Sequence, residues 1–160
     1  MSRLFLDLDG VIADFDDGAR RMCGTDNTYK FEFVYGQDEF WRCIHRDPEF
    51  FLNLNMMPDA NLLWDHVKHL NPIILTALPH IGAESVDRQK RMWVDMMLGP
   101  EVEVITCLTK DKPNYCKPGD VLVDDRAINR PKWIAAGGQF VVHTSAKQTL
   151  DELECLWGMI

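Results

Sequence analysis

"LFLDLDGVIADF", residues Leu4 to Phe15, reads as a buried strand that ends on two carboxylates. In a strand, residues i and i+2 point to the same face, so Asp7 and Asp9 project together. They lie near the carboxyl end, where open α/β sheets hold their ligands. Gly10 follows at once and permits a sharp turn. Two carboxylates so close repel each other, and burial raises the cost. Either a cation neutralises them or one stays protonated.

Four further apolar runs resemble the first. "RLFLDLD" (3–9), "PIILTA" (72–77), "EVEVIT" (101–106), "DVLVDD" (120–125) and "QFVVHT" (139–144) read as strands covered on both faces, because they are nearly continuous in hydrophobicity. Helical stretches alternate with them. "DANLLWDHVKHL" (59–70) begins at a capping-type Asp59 and sets Leu62, Leu63, Val67 and Leu70 in one stripe. "AESVDRQKRMWVDMML" (83–98) stops at Gly99-Pro100, "RPKWIAAGG" (130–138) at two glycines, and "AKQTLDELECLWGM" (146–159) closes the pattern. The alternation predicts an α/β fold with a mostly parallel sheet. From Asp16 to Met57 the rhythm breaks into an aromatic-rich stretch with no clear strand, read as a small helical insertion. The expected division is a core of 1–15 and 58–160 with a cap of 16–57. Phe31, Phe33, Phe50 and Phe51 are expected in the cap's own core.

The bulk numbers narrow the function. The chain has 160 residues, 46% hydrophobic and 26% charged, enough for one domain with a full core. A net charge of −8 argues against general nucleic-acid binding. No apolar run is long enough for a membrane span. "MSRLFLDLDG" carries acids inside its apolar run, unlike a cleavable signal, so the expected location is the cytoplasm. Cys23, Cys43, Cys107, Cys116 and Cys155 are odd in number and form no CxxC pair, as reduced thiols would. His66 and His69 lack partners at zinc spacing.

A second acidic pair answers the first. Asp124 and Asp125 end another apolar strand, and four strand-end carboxylates suit a hard divalent cation, with Mg²⁺ the natural candidate. Thr76 ends "PIIL" and offers a hydroxyl and an N–H. Lys112, in "LTKDKP", lies just beyond the strand 101–106 and offers positive charge. A metal, a lysine and hydrogen-bond donors are the usual apparatus for stabilising a transferring phosphoryl group. Each residue alone is weak, since DxD turns, strand-end threonines and surface lysines are common. The ordered set, each member at the end of its own strand, is specific.

"DLDGVIAD", Thr76, Lys112 and "DD" at 124–125, in that order, resemble the four motifs of the haloacid dehalogenase-like (HAD) phosphatase superfamily. The insertion after the first motif matches the place of that superfamily's first type of cap. "RMWVDMMLGPEVEVITCLTKDK" followed by "DVLVDDR" is similar to the 5'(3')-deoxyribonucleotidase family, with weaker likeness in the cap. Mammalian members commonly have Ser where this chain has Ala77, which removes one phosphate-binding hydroxyl.

The resemblance implies a Rossmann-like core and Mg²⁺-dependent hydrolysis of nucleoside monophosphates. It implies Asp7 as nucleophile and Asp9 as general acid and then base. Asp7, the Asp9 carbonyl, and Asp124 or Asp125 are implied as metal ligands, with the direct ligand of the last pair left open. Thr76, Lys112 and, by match to a second family lysine, Lys90 are implied at the phosphate, beside Ala77. In that family a Phe at the position of Phe15 contacts the base, and Trp41 is the second aromatic expected there. The expected partner is a small phosphomonoester, with no membrane and no stable nucleic-acid complex, for a monomer or homodimer. A sugar phosphatase or a polynucleotide 3'-phosphatase would use the same chemistry. A receiver-type phospho-acceptor domain shares the acids, Thr, Lys and Mg²⁺, but its phosphorylated Asp lies on a middle strand and it lacks a 40-residue insertion.

Overall fold

The computed structural model describes residues 1–158. Five parallel strands form one sheet: β1 Leu4–Leu6, β2 Ile73–Ala77, β3 Val104–Cys107, β4 Val121–Asp124 and β5 Gln139–Val142. Their spatial order is β3-β2-β1-β4-β5. The chain therefore builds outward from β1 on one side, then returns to build on the other. The switch point falls between β1 and β4, which pair with Leu6 beside Val123. Ligands of open parallel sheets bind at such a point.

Alternation along the strands decides which face each residue covers. Leu4 and Leu6 join Ile74, Val121, Val123 and Val141 on one face. There they meet Leu63 and Val67 of α4 (Ala60–Val67), Trp93 and Val94 of α5 (Ala83–Met97), and Leu153 of α7 (Ala146–Trp157). Phe5, Leu75 and Leu122 point the other way, onto Trp133 of α6 (Arg130–Ala135). Phe5 and Trp133 stack edge to face at 5.4 Å. All five expected strands form, each shorter than the sequence reading and all parallel. Val104–Cys107 replaces 101–106, because Glu101 and Val102 turn off Gly99 instead. β3 and β5 are sheet edges and only partly covered, against the expectation of burial on both faces.

The helical stretches also form, with three differences. Leu62 is exposed, and the buried stripe of α4 is Ala60, Leu63 and Val67. Asp59 makes no side-chain bond to its own helix; it accepts from the Ala146 N–H at 2.7 Å and so ties α4 to the start of α7. α7 ends at Trp157, and position 159 of the expected helix lies outside the described residues.

Between β1 and α4 the insertion is helical: α1 Phe15–Cys23, α2 Thr28–Tyr35 and α3 Gln37–Ile44. Asp14 caps α1 by accepting from Asp17 N–H, and Gly24 ends it. Phe15 packs on Phe40, Trp41, Phe50 and Phe51 at 5.6–6.4 Å. Phe50 and Phe51 are buried, but in one continuous core with Leu4, Leu6 and Trp93 rather than in a core of the cap's own, and Phe31 is only partly buried against it. Phe33 is not buried: it is 93% exposed on α2, and Tyr29 and Tyr35 are exposed with it.

Candidate active site

Asp7 directly follows β1, and its N–H pairs with the Val123 carbonyl at 2.9 Å. Asp124 is the last residue of β4. The switch point thus sets two buried carboxylates side by side. Asp125 stands at the lip, and oxygens of Asp7, Asp124 and Asp125 lie within 4.8 Å of one another. Gly10 adopts φ +83°, and a Cβ there would strike the Asp125 carboxylate. No other residue both makes this turn and leaves that carboxylate its place.

Two buried lysines enter from opposite sides. Lys112, on the 3₁₀ turn Thr109–Tyr115, bonds Asp7 Oδ1 and Asp124 Oδ2, each at 3.0 Å. Lys90, on α5, bonds Asp9 Oδ2 at 2.9 Å, Thr76 Oγ1 at 2.9 Å and the Ala77 carbonyl at 2.6 Å. These three acceptors use all three ammonium protons. Asp9 therefore belongs to the Lys90 side, while its neighbour Asp7 belongs to the Lys112 side. The other oxygen of Asp9, Oδ1, is buried with no hydrogen-bond partner among the described residues.

The electrostatics follow from crowding. Burial pushes the Asp7 carboxyl above its ordinary value, Lys112 pulls it back, and Asp124 pushes it up again, for a net rise. Burial and the charges of Asp7 and Asp124 push Asp125 up to about 8. Burial opposes the charge on Lys112, but Asp7 and Asp124 outweigh it and the net is a raised value. Two lysines face four carboxylates, so the fully ionised site keeps two negative charges. A divalent cation among all-oxygen donors matches that surplus in charge and in ligand chemistry.

The structure brings Asp7, Asp9, Thr76, Ala77, Lys90, Lys112, Asp124 and Asp125 together. Lys110, on the same turn as Lys112, is exposed. Phe15 and Trp41 stand half-buried in a ring cluster with Phe40, Phe50 and Phe51. A cavity of about 170 Å³ opens between residues 45–51 and the start of α5. Its walls include His45, Phe50, Phe51, Ser85 and Gln89, and neither Phe15 nor Trp41 lines it. The sequence reading missed Gln89 and His45. It missed also Asn129, which donates to the Thr109 carbonyl at 2.9 Å and anchors the turn carrying Lys112. Gln89 sits in a mostly polar and charged helix, so nothing in the sequence marked it as buried.

No family model matches the chain. It is 28% identical over 158 residues to the human 5'(3')-deoxyribonucleotidase of cytosolic type, covering 82% of this chain and 76% of that protein. Among solved structures, a hydrolase from Streptococcus pneumoniae TIGR4 superposes with TM-score 0.60 at 13% identity, over 95% of this chain and 97% of that one. A HAD-superfamily hydrolase of subfamily IA, variant 1, from Geobacter sulfurreducens PCA superposes with TM-score 0.58 at 17% identity, over 96% of each. With its parallel sheet and its acids at the switch point, the chain has the Rossmann-like α/β fold of the HAD-superfamily hydrolases.

Proposed function

We propose that the protein is a phosphomonoesterase that hydrolyses (deoxy)ribonucleoside monophosphates to nucleoside and phosphate. The observation that carries this reading is the pairing of Asp7 with Lys112 and of Asp9 with Lys90 at the switch point. In the first step an Asp7 oxygen attacks phosphorus, and the bond from phosphorus to the ester oxygen breaks. Asp9 gives its proton to the departing alkoxide. In the second step Asp9 takes a proton from water, the water oxygen attacks the aspartyl-phosphate, and the Asp7 carboxylate leaves with inorganic phosphate released. Of the two Asp9 oxygens, Oδ2 is held by Lys90 and Oδ1 is buried without a protein partner, and Oδ1 is the one we assign to both transfers. The presence of Asp9 two residues from the nucleophile favours turnover over the storage of phosphate expected of a receiver.

Lys112 and the Thr76 hydroxyl hold the phosphoryl oxygens, and Lys90, its three protons committed to Asp9, Thr76 and the Ala77 carbonyl, offsets their charge from beside them. Asp7, Asp124, Asp125 and the Asp9 carbonyl would hold Mg²⁺. That ion, when bound, neutralises the surplus negative charge and so lets an anionic phosphate approach an anionic nucleophile. Residues 16–57 act as the cap that meets the leaving group, with Phe15 and Trp41 on its aromatic side.

The nucleotide preference rests on the likeness to the human enzyme and on the aromatic cap. No helix among the described residues is long and apolar enough to cross a membrane. The human relative is of cytosolic type, and we assign this protein to the cytoplasm on that likeness. A phosphate-release screen over nucleoside monophosphates, sugar phosphates and methyl phosphate, with Mg²⁺, tests the function. A clear preference for nucleotides is expected. Best turnover on a sugar phosphate would overturn the substrate class, and no turnover on any ester would overturn the chemistry.

A further inference from the structure

One buried side chain at the seam between cap and core has no part in the phosphate chemistry above. Gln89 is 3% exposed on α5. Its Oε1 accepts from the backbone N–H of Phe51 at 3.1 Å and of Leu52 at 3.2 Å. Its Nε2 donates to the Pro48 carbonyl and to Ser85 Oγ, both at 3.0 Å. A side-chain amide has two N–H donors and two strong acceptor positions. All four are committed to protein, so Gln89 has nothing left to offer a ligand.

Its bonds fall on a segment that cannot satisfy itself. Residues 48–54 run through turns rather than helix or strand, and a buried N–H without a partner is costly. Gln89 supplies the acceptor for two consecutive N–H groups there. One helical turn later, Trp93 Nε1 donates to the Leu54 carbonyl at 2.8 Å. α5 thereby fastens the segment at both ends.

The fastened segment is the wall of the cavity. Phe50 and Phe51 line it. The Lys90 ammonium lies 5.2 Å from the centre of the Phe51 ring, so this ring stands against one of the two lysines of the site. Phe51 thus lies between the cavity and Lys90, and we take the cavity side of that ring as the place of a group esterified to the phosphate. Lys90 is fixed separately, by Asp9, Thr76 and the Ala77 carbonyl. The wall and the phosphate apparatus thus hang on adjacent residues of α5 but on different hydrogen bonds.

We propose that Gln89 is the positioning residue of the leaving-group side of the site, a role that rests on the phosphomonoesterase reading. It holds Phe50 and Phe51 in place before substrate arrives, so a large leaving group meets a preformed wall and loses less freedom on binding. A small leaving group gains nothing from it.

Gln89→Met keeps the length of the side chain and removes its four hydrogen bonds. Two measurements test the proposal. Backbone amide exchange at Phe51 and Leu52 should quicken at least about tenfold, with β1 and β4 unchanged. For thymidine 5'-monophosphate, KM should rise roughly five- to twentyfold with kcat within about twofold, while both constants for methyl phosphate hold within about twofold. Unchanged exchange at Phe51 and Leu52 overturns the clamp. Equal losses on both esters overturn the leaving-group role and mark Gln89 as structural. Gln89→Glu keeps the two acceptor contacts and serves should the methionine variant not fold. It turns the donor to Pro48 into an oxygen facing that carbonyl, so exchange at Phe51 and Leu52 should again quicken, and unchanged exchange there would equally overturn the clamp. The wild-type preference between the two esters tests the nucleotidase reading by itself. If that preference is absent, the nucleotide reading falls and the exchange result still decides the clamp.

Discussion

Asp7 concentrates the proposed chemistry in one carboxylate. It is buried, bonded to Lys112 and set against Asp124. Asp7→Asn keeps its shape and removes both nucleophile and charge. We predict a fall in kcat of at least about a thousandfold, with the fold retained by circular dichroism and melting. Near-normal turnover in the folded variant would remove Asp7 as nucleophile. Phe15 poses a different question, because its ring contacts four others in the cap. Such a ring supports structure whatever else it touches. Phe15→Ala should cost about 2–4 kcal/mol, a drop in Tm of roughly 4–16 °C for a chain of this size. A melting curve that shifts by less than about 3 °C would show that the cluster does not depend on it.

The elements are joined by side chains more than by sequence neighbours. Asp120, just before β4, accepts from the Arg3 backbone N–H at 3.0 Å, from the Arg3 guanidinium at 2.6 Å and from the Lys117 N–H at 2.8 Å. It thereby fixes the start of β4 against the start of β1. Burial pushes its carboxyl up, but these donors outweigh burial and hold it below its ordinary value of 3.8. A carboxyl depressed in the fold stabilises fully above the unfolded value. Its contribution is lost as pH falls through the folded one. Asp120→Asn should therefore cost about 2–3 kcal/mol at neutral pH. It should also flatten the loss of stability that the wild type shows as pH falls below the ordinary value of 3.8. Denaturant titrations of both proteins across that range measure it; parallel curves would exclude Asp120 as the source.

Across the whole molecule, the net charge of −8 is not spread evenly. Four carboxylates meet at one end of the sheet, and the folded chain holds them there against repulsion. A cation that binds only the folded site must stabilise it. At about a hundred times its dissociation constant, Mg²⁺ should add roughly 2.7 kcal/mol, a rise in Tm of about 5–11 °C. Chelator should reverse the rise and abolish turnover. Asp124→Asn should lose most of the rise, because it removes one of the three converging carboxylates. A Tm indifferent to Mg²⁺ in the wild type would contradict the site as a metal centre.

What the sequence by itself determined was local. Apolar continuity marked five strands, and acids at two strand ends marked the place of chemistry, because strand alternation and strand length are written residue by residue. Capping residues and glycines set most helix ends for the same reason. Tertiary structure alone decided who meets whom. Strand order brought Asp124 beside Asp7, and only then could Lys112, 105 residues from Asp7, bridge them. Asp9 and Asp7, two residues apart, went to different lysines. Phe33 has the composition of a core residue and stands in solvent. Gln89 looks like a surface residue and closes the seam. Periodicity gives the face on which a side chain lies, but its partners come from whichever element packs there, and that depends on every other element finding its own place.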